Sequence, residues 1–349
     1  MSLFQNWHGK VVRLSVALVI MATAFSLSPH FAFAAQPITI KAVGDICFTG
    51  GRGQSLGKPS TLLSKVAPTL RASDITFGNL ETSLSKRGTK WPKTFTFRGP
   101  MSAGPALGKA GFDVVSLANN HALDYGRVAF SDTLAAVRNG GVVAVGGGRN
   151  RPQAWEPKII TCKGQKIAFL AFSEITPGEF AATSSRSGTA YTQSIRSMTR
   201  AVKAAHKKAD YVVVSMHWGV EKKYDANARQ KAEAHALIRA GADVVLGHHP
   251  HRIQGVEYYR GKLIAYSLGN FVFSPASTGS TDTYILSLTL NNGKVEKASA
   301  RPVIIASGQP RIVSLGSSSG KRISKVLTQK SHACGTKVSK SKSSLFFKP

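Results

Sequence analysis

At 349 residues the chain is long enough for one large domain or two smaller ones, and it can bury a sizeable core. Hydrophobic residues make up 42% and charged residues 18%, which excludes a disordered or fibrous chain over most of the length. Lys and Arg number 46 against 17 Asp and Glu, so the formal charge is +29; such an excess attracts polyanions over long range but does not specify a fold.

The first segment reads as an export unit. Lys10 and Arg13 precede the apolar run "LSVALVIMATAFSL" (14–27), which is too short to span a bilayer comfortably, and "AFA" (32–34) before Ala35 fits a small-residue cleavage site. Residues 1–34 are expected to be a cleaved signal peptide of a secreted or periplasmic protein, with an uncleaved anchor on the outer membrane face as the alternative. Removing Lys10 and Arg13 takes the charge from +29 to +27. Export disfavours a nucleic-acid partner, and no recognition motif supports one. Cys47, Cys162 and Cys334 are odd in number and widely spaced, so they form neither a disulfide framework nor a zinc clip, although one pair could form in an oxidising compartment.

Further along, "ITIKAV" (38–43) alternates and is β-branched, so it predicts a strand delivering Asp45 to its tip. "SKVAPTLRAS" (64–73) predicts a helix interrupted by Pro68, and "DITFGNLE" (74–81) returns to strand. "PALGKAGF" then "DVVSLANNH" (105–121) repeats helix and strand, and "FSDTLAAVRNGG" (130–141) is a helix closed by glycine before the strand "VVAVGG". "KIAFLAFSE" (166–174), "YVVVSMHWG" (211–219) and "DVVLGHH" (243–249) are further strands. The helix "DANARQKAEAHALIRAGA" (225–242) separates the last two. Beyond Thr283, "YILSLTL-NNG-KVEKASARPVII" (284–305) predicts a hairpin around "NNG". The Ser/Lys-rich residues 311–349 are expected to be a poorly ordered basic tail, with a terminal helix at "KRISKVLTQK" as the alternative. Repeated β–α alternation with Val/Ile-rich strands argues for an α/β fold over 35–310.

Metal-type residues cluster where strands end: Asp45; Asn79 and Glu81; Asn119, Asn120, His121 and Asp124; His217 and Glu221; His249 and His251. Ligands in open α/β sheets gather at the carboxyl ends of strands, and five such clusters make coincidence a poor account. Carboxylate, amide oxygen and imidazole together suit a divalent cation of intermediate hardness, such as manganese, zinc or iron. His-x-His in extended backbone points both imidazoles to one side, so His249 and His251 are expected to share a centre while His248 faces away.

"GDICFTG", "NLETSLS", "SLANNHALDYG", "HWGVE" and "GADVVLGHHPHRIQGVEYYRGKLIAYSLGNFVF" together resemble, in order and spacing, the CapA-type poly-γ-glutamate capsule synthesis proteins. The match runs from about Ile38 to Ile305. The resemblance implies a metallophosphoesterase-like (calcineurin-like) β-sandwich flanked by helices, four layers in the order αββα. It also implies Asp45, Glu81, Asn120, His217, His249 and His251 as metal ligands for one or two ions. His121 would be the general acid, with Asn79, Asn119, Asp124, Glu221 and Asn270 in support. Two departures stand out: Cys47 occupies the place where phosphoesterases usually carry His, and "GNLET" replaces their GDxxD segment. The functions implied are a metal-dependent hydrolase acting on a phosphate ester or poly-γ-glutamate, or a non-catalytic accessory protein that binds such a polyanion. The partners implied are that anionic polymer and a membrane-bound synthesis machinery.

Overall fold

A strand such as "YVVVSMH" (211–217) is largely apolar on both faces and buried along its whole length, and a strand of that kind must be covered on both. The computed structural model describes residues 36–50, 55–274 and 279–349 and shows how this is done; the expected signal peptide lies outside them. The larger sheet runs in the order Lys337–Lys340, Leu345–Lys348, Lys294–Ala306, Asp282–Asn291, Ile38–Ile46, Ile75–Leu80, Val114–Ser116, Val143–Val145. The smaller runs Val256–Tyr259, Lys262–Ala265, Val244–His248, Tyr211–His217, Gln165–Ser173, Lys158–Cys162.

Side-chain alternation sorts the residues into layers. Ile38, Ile40, Ala42 and Phe77 of the larger sheet share one core with Phe169, Ala171, Val213 and Leu246 of the smaller. On the outer face of the larger sheet, Val43, Ile46 and Leu80 pack on Leu63, Leu70, Leu107 and Phe130. Leu170, Phe172, Val214 and Met216 pack outward from the smaller sheet on Met198, Val202 and Leu237. The helices supplying these contacts include Ala103–Ala110 and Gly126–Asn139 on one side and Ile195–His206 and Ala228–Arg239 on the other. The architecture is therefore the four-layer αββα order that the resemblance implies.

Local chemistry explains most element boundaries. Asn227 opens the helix Ala228–Arg239 with a reciprocal capping box to Gln230, satisfying otherwise orphaned N–H groups. The hairpin turn places Asn292 at φ 47° and Gly293 at φ 72°, as a tight two-residue turn between twisted strands requires. Pro68 does not interrupt a helix over 64–73. It lies in the first turn of the second of two short helices, Pro59–Leu63 and Ala67–Arg71, where its missing N–H costs nothing.

The C-terminal segment corrects the sequence reading. Residues 311–349 are not a poorly ordered tail but part of one compact unit, Ala35–Pro349. The helix Ser318–His332, capped by Ser317, buries Ile323 and Leu327 in the inter-sheet core, and the strand Leu345–Lys348 adds Leu345 and Phe347 to it. Arg322 pairs with Asp282 through two nitrogens, at 2.6 and 2.8 Å, fastening the helix to the larger sheet.

One crossing segment, residues 266–270, binds both sheets at the ends of their strands. Asp45 donates its N–H to the Gly269 carbonyl at 3.0 Å, and Leu268 donates to the Gly247 carbonyl at 3.1 Å. Such proximity demands glycine: a Cβ on Gly44 would lie 1.9 Å from the Gly269 oxygen, and one on Gly247 would lie 1.9 Å from the Tyr266 oxygen. Gly44→Ala is thus expected to destabilise the fold by about 1–3 kcal/mol or more through forced backbone displacement. Gly178→Ala, where no atom lies within 4 Å of the new Cβ, is expected to leave thermal unfolding nearly unchanged. Equal melting temperatures for the two variants would contradict this account of the crossing.

Candidate metal centre

The two sheets bring their strand ends together over the crossing segment. Asp45, at the end of Ile38–Ile46, is fully buried, and its register partners are Asn79 and Asn270. Glu81 follows the strand Ile75–Leu80 and is also fully buried. Asn79 lies between the carboxylates, donating from Nδ2 to Asp45 Oδ1 at 2.9 Å and to Glu81 Oε2 at 3.3 Å. Asn119 fixes that amide in turn, donating to Asn79 Oδ1 at 3.1 Å and to the Leu80 carbonyl at 2.9 Å.

Glu81 Oε1 has no hydrogen-bond partner among the described residues, although it is withdrawn from solvent. Three imidazole nitrogens surround it: His217 Nε2 at 3.8 Å, His251 Nε2 at 3.9 Å and His121 Nε2 at 4.0 Å. These separations are too long for hydrogen bonds. They suit a ring of ligand atoms spaced around a common centre. Glu81, His217 and His249 offer ligand atoms within 4.8 Å of one another, as do Asp45, Glu81 and His251, and Glu221, His249 and His251. His249 Nδ1 is a second buried atom without a partner. Buried unpartnered acceptors of carboxylate and imidazole type are what a divalent cation takes as ligands, so the donor set fits such an ion.

The surrounding hydrogen bonds aim these nitrogens. His251 Nδ1 lies 2.8 Å from Asn270 Oδ1, so Nδ1 carries the proton and Nε2 presents its lone pair inward. Asn270 is itself held by donating to the Ser280 carbonyl at 3.0 Å. His121 Nδ1 lies 2.7 Å from Asp124 Oδ2, which fixes that ring similarly. Asn120 Oδ1 stands 2.8 Å from His217 Nε2.

Electrostatics separate the two carboxylates. Burial alone would raise the pKa of Asp45, but hydrogen bonds from His248 and His251 outweigh it and hold the group well below the usual carboxylate range. Burial, and then the charge on Asp45, push Glu81 well above that range. Burial pushes His249 down to about 3 and, with His249 beside it, takes His217 well below the imidazole range. Both imidazoles are therefore neutral, the form that binds a cation.

Each expected residue has a place. Asp45, Glu81, Asn120, His121, His217, His249 and His251 converge on the centre; Asn79, Asn119, Asp124 and Asn270 brace them. Glu221 is exposed and joins only the group with His249 and His251. His248 departs from expectation. It does not face away, because its Nδ1 contacts Asp45 Oδ1 at 3.2 Å. The extended-strand argument fails here because His249 and His251 have φ of 96° and 52°, in the left-handed region, and strict alternation stops.

Cys47 lies outside the three candidate metal-holding groups. It packs with Phe97, Phe273 and Ile305, and burial pushes its thiol up to about 12. Lys93 was not singled out by the sequence. It ion-pairs with Asp124 Oδ1 at 2.5 Å and donates to the Asn120 carbonyl at 2.5 Å, pinning the "NNHALD" turn. It sits in "KWPKTF", without periodicity or a companion ligand to mark it.

The family profile described as "Bacterial capsule synthesis protein PGA_cap" matches residues 39–275. The chain is 33% identical to the PGA biosynthesis protein CapA of Bacillus subtilis over 276 residues, covering 78% of this chain and 72% of that protein. It is 30% identical to the capsule biosynthesis protein CapA of Bacillus anthracis over 287 residues, covering 80% and 70% respectively. Among solved structures, a hypothetical protein from Thermus thermophilus aligns with TM-score 0.49 and 18% identity, over 76% of this chain and 98% of that one.

Asn270→Ala removes the acceptor that orients His251 and is expected to weaken Mn²⁺ binding by about 10–100-fold while the fold persists. Calorimetric titration of the full-length protein checks this. Unchanged affinity would show that His251 does not bind the ion through Nε2.

Proposed function

Because this chain belongs to the bacterial capsule synthesis protein family PGA_cap, we propose that it handles an anionic envelope polymer of the poly-γ-glutamate type at a single divalent-cation centre. The observation that carries the reading is the buried, unpartnered Glu81 Oε1 inside its ring of three imidazole nitrogens. Asp45, Glu81, Asn120, His217, His249 and His251 would hold the ion, which would be Mn, Zn or Fe on the mixed donor set. A bound cation supplies Lewis-acid polarisation of an anionic substrate oxygen. One ion is preferred over two because the neutral Cys47 thiol stands where the related phosphoesterases place a further histidine.

His121 would be the proton-handling group. Burial lowers its pKa, and Asp124 holds the Nδ1 proton, so Nε2 faces the centre as an acceptor. In a hydrolysis, Nε2 takes a proton from the attacking water and returns it to the leaving oxygen or nitrogen. Lys93 ion-pairs with Asp124 and keeps the turn fixed, acting on the proton only through those contacts. A signal peptide over 1–34 would place this chemistry outside the cytoplasm, where a chain of charge about +27 meets acidic polymers.

The test pairs two readouts on the cation-loaded full-length protein. Hydrolysis of a phosphodiester and of a γ-linked glutamate oligomer is measured beside binding of that oligomer. His121→Ala is expected to lower turnover of the preferred substrate by about 100-fold or more while retaining the cation. Absence of turnover in the parent protein, with oligomer binding unaffected by His121→Ala, would replace the hydrolase with a non-catalytic accessory role.

A further inference from the structure

From residue 297 to residue 349 the chain contains no Asp or Glu. That segment includes the helix Ser318–His332 and the strand Lys337–Lys340, which together line a recess of about 280 Å³. Lys321, Ser324, Lys325, Thr328 and Gln329 lie on one face of the helix at the i, i+3, i+4, i+7, i+8 spacing; Lys340 and Leu315 complete the lining. None of these residues belongs to the metal centre.

Two features distinguish this recess from an ordinary solvated basic face. The neighbouring cations are matched: Arg322 pairs with Asp282, and Lys330 pairs with Asp225 at 2.7 Å. No ion pair forms at Lys321, Lys325 or Lys340 among the described residues, and no acidic side chain lines the recess. In the same lining, Ser324 Oγ and Thr328 Oγ1 are withdrawn from solvent without a hydrogen-bond partner among the described residues. Ser324 is only 2% exposed. Buried hydroxyls normally find partners, and both residues line the recess together with the three lysines.

We propose that this recess binds an anionic oxygen group, carboxylate or phosphate, with Lys321, Lys325 and Lys340 supplying charge and Ser324 and Thr328 supplying hydroxyl donors. Ammonium groups are compact charges without the fixed fork of arginine, so they accept either anion geometry. The two sources of such a group are free phosphate and the side chains of an acidic polymer. The site is independent of the cation centre, and it stands even if that centre performs no chemistry.

Calorimetric titration at low salt of the full-length protein, stripped of cations by a chelator, tests it with inorganic phosphate and with a γ-linked glutamate oligomer. Chelation removes any anion held through the metal centre. At least one probe is expected to bind; phosphate alone assigns free phosphate as the source, and the oligomer alone assigns polymer carboxylates. Lys325→Glu is expected to weaken that binding by about tenfold or more. Ser324→Ala should weaken it severalfold while keeping or raising the melting temperature, because it deletes an unpartnered buried hydroxyl. Lys207→Glu makes the same charge change on an exposed lysine outside the recess and should alter affinity by less than about twofold. Equal losses in Lys207→Glu and Lys325→Glu, with both variants folded, would reduce the effect to diffuse net charge and overturn the site. So would the failure of both probes to bind the parent protein.

Discussion

The structure turns on two carboxylates buried side by side. Asp45 and Glu81 are both fully inaccessible, and one amide, Asn79 Nδ2, donates to both. An ionised carboxylate withdrawn from water costs several kcal/mol unless it is paired. Asp45 meets that cost with His248 and His251, whereas Glu81 Oε1 has no hydrogen-bond partner among the described residues and faces three imidazole nitrogens near 4 Å. A cation within that ring would pair Glu81, take the lone pairs of the imidazoles and remove the repulsion from Asp45 at once. Burial favours the neutral form of His217 and His249, the form in which an imidazole binds a cation.

The rest of the fold serves this convergence. The parallel strands around the centre in both sheets end at the same edge of the sandwich. The segment 266–270 crosses there, with Gly44 and Gly247 giving it room. Asn270 leaves that crossing to orient His251, so the element that joins the sheets also aims a candidate ligand. On the opposite flank, Lys93 and Asp124 hold the turn that presents Asn120 and His121. Candidate ligands from both sheets thus depend on one stitched edge for their relative positions.

Much of this was legible because strand ends carry a recognisable signature. Apolar β-branched runs closed by Asp, Asn, Glu or His marked the five clusters that the fold brings together, and the residue types made a divalent ion the expectation. Conformation at single residues was less legible. His249 and His251 adopt left-handed backbone, so the period-two argument misplaced His248, which in fact contacts Asp45. Lys93 lies in an aperiodic loop, and only the folded chain shows it beside Asp124. The C-terminal segment was misread because its apolar residues are sparse among Ser and Lys. Ile323 with Leu327, and Leu345 with Phe347, suffice only because the inter-sheet core is open to receive them. A short apolar pair is weak evidence alone and becomes decisive once a surface exists to cover.

Anomalous diffraction from a crystal of the full-length protein soaked in Mn²⁺ tests the central claim most directly. The account predicts one strong anomalous peak at bonding distance, about 2.0–2.3 Å, from Glu81 Oε1 and from imidazole nitrogens of the surrounding ring. No peak at that position, with Glu81 Oε1 instead hydrogen-bonded to ordered water, would contradict it.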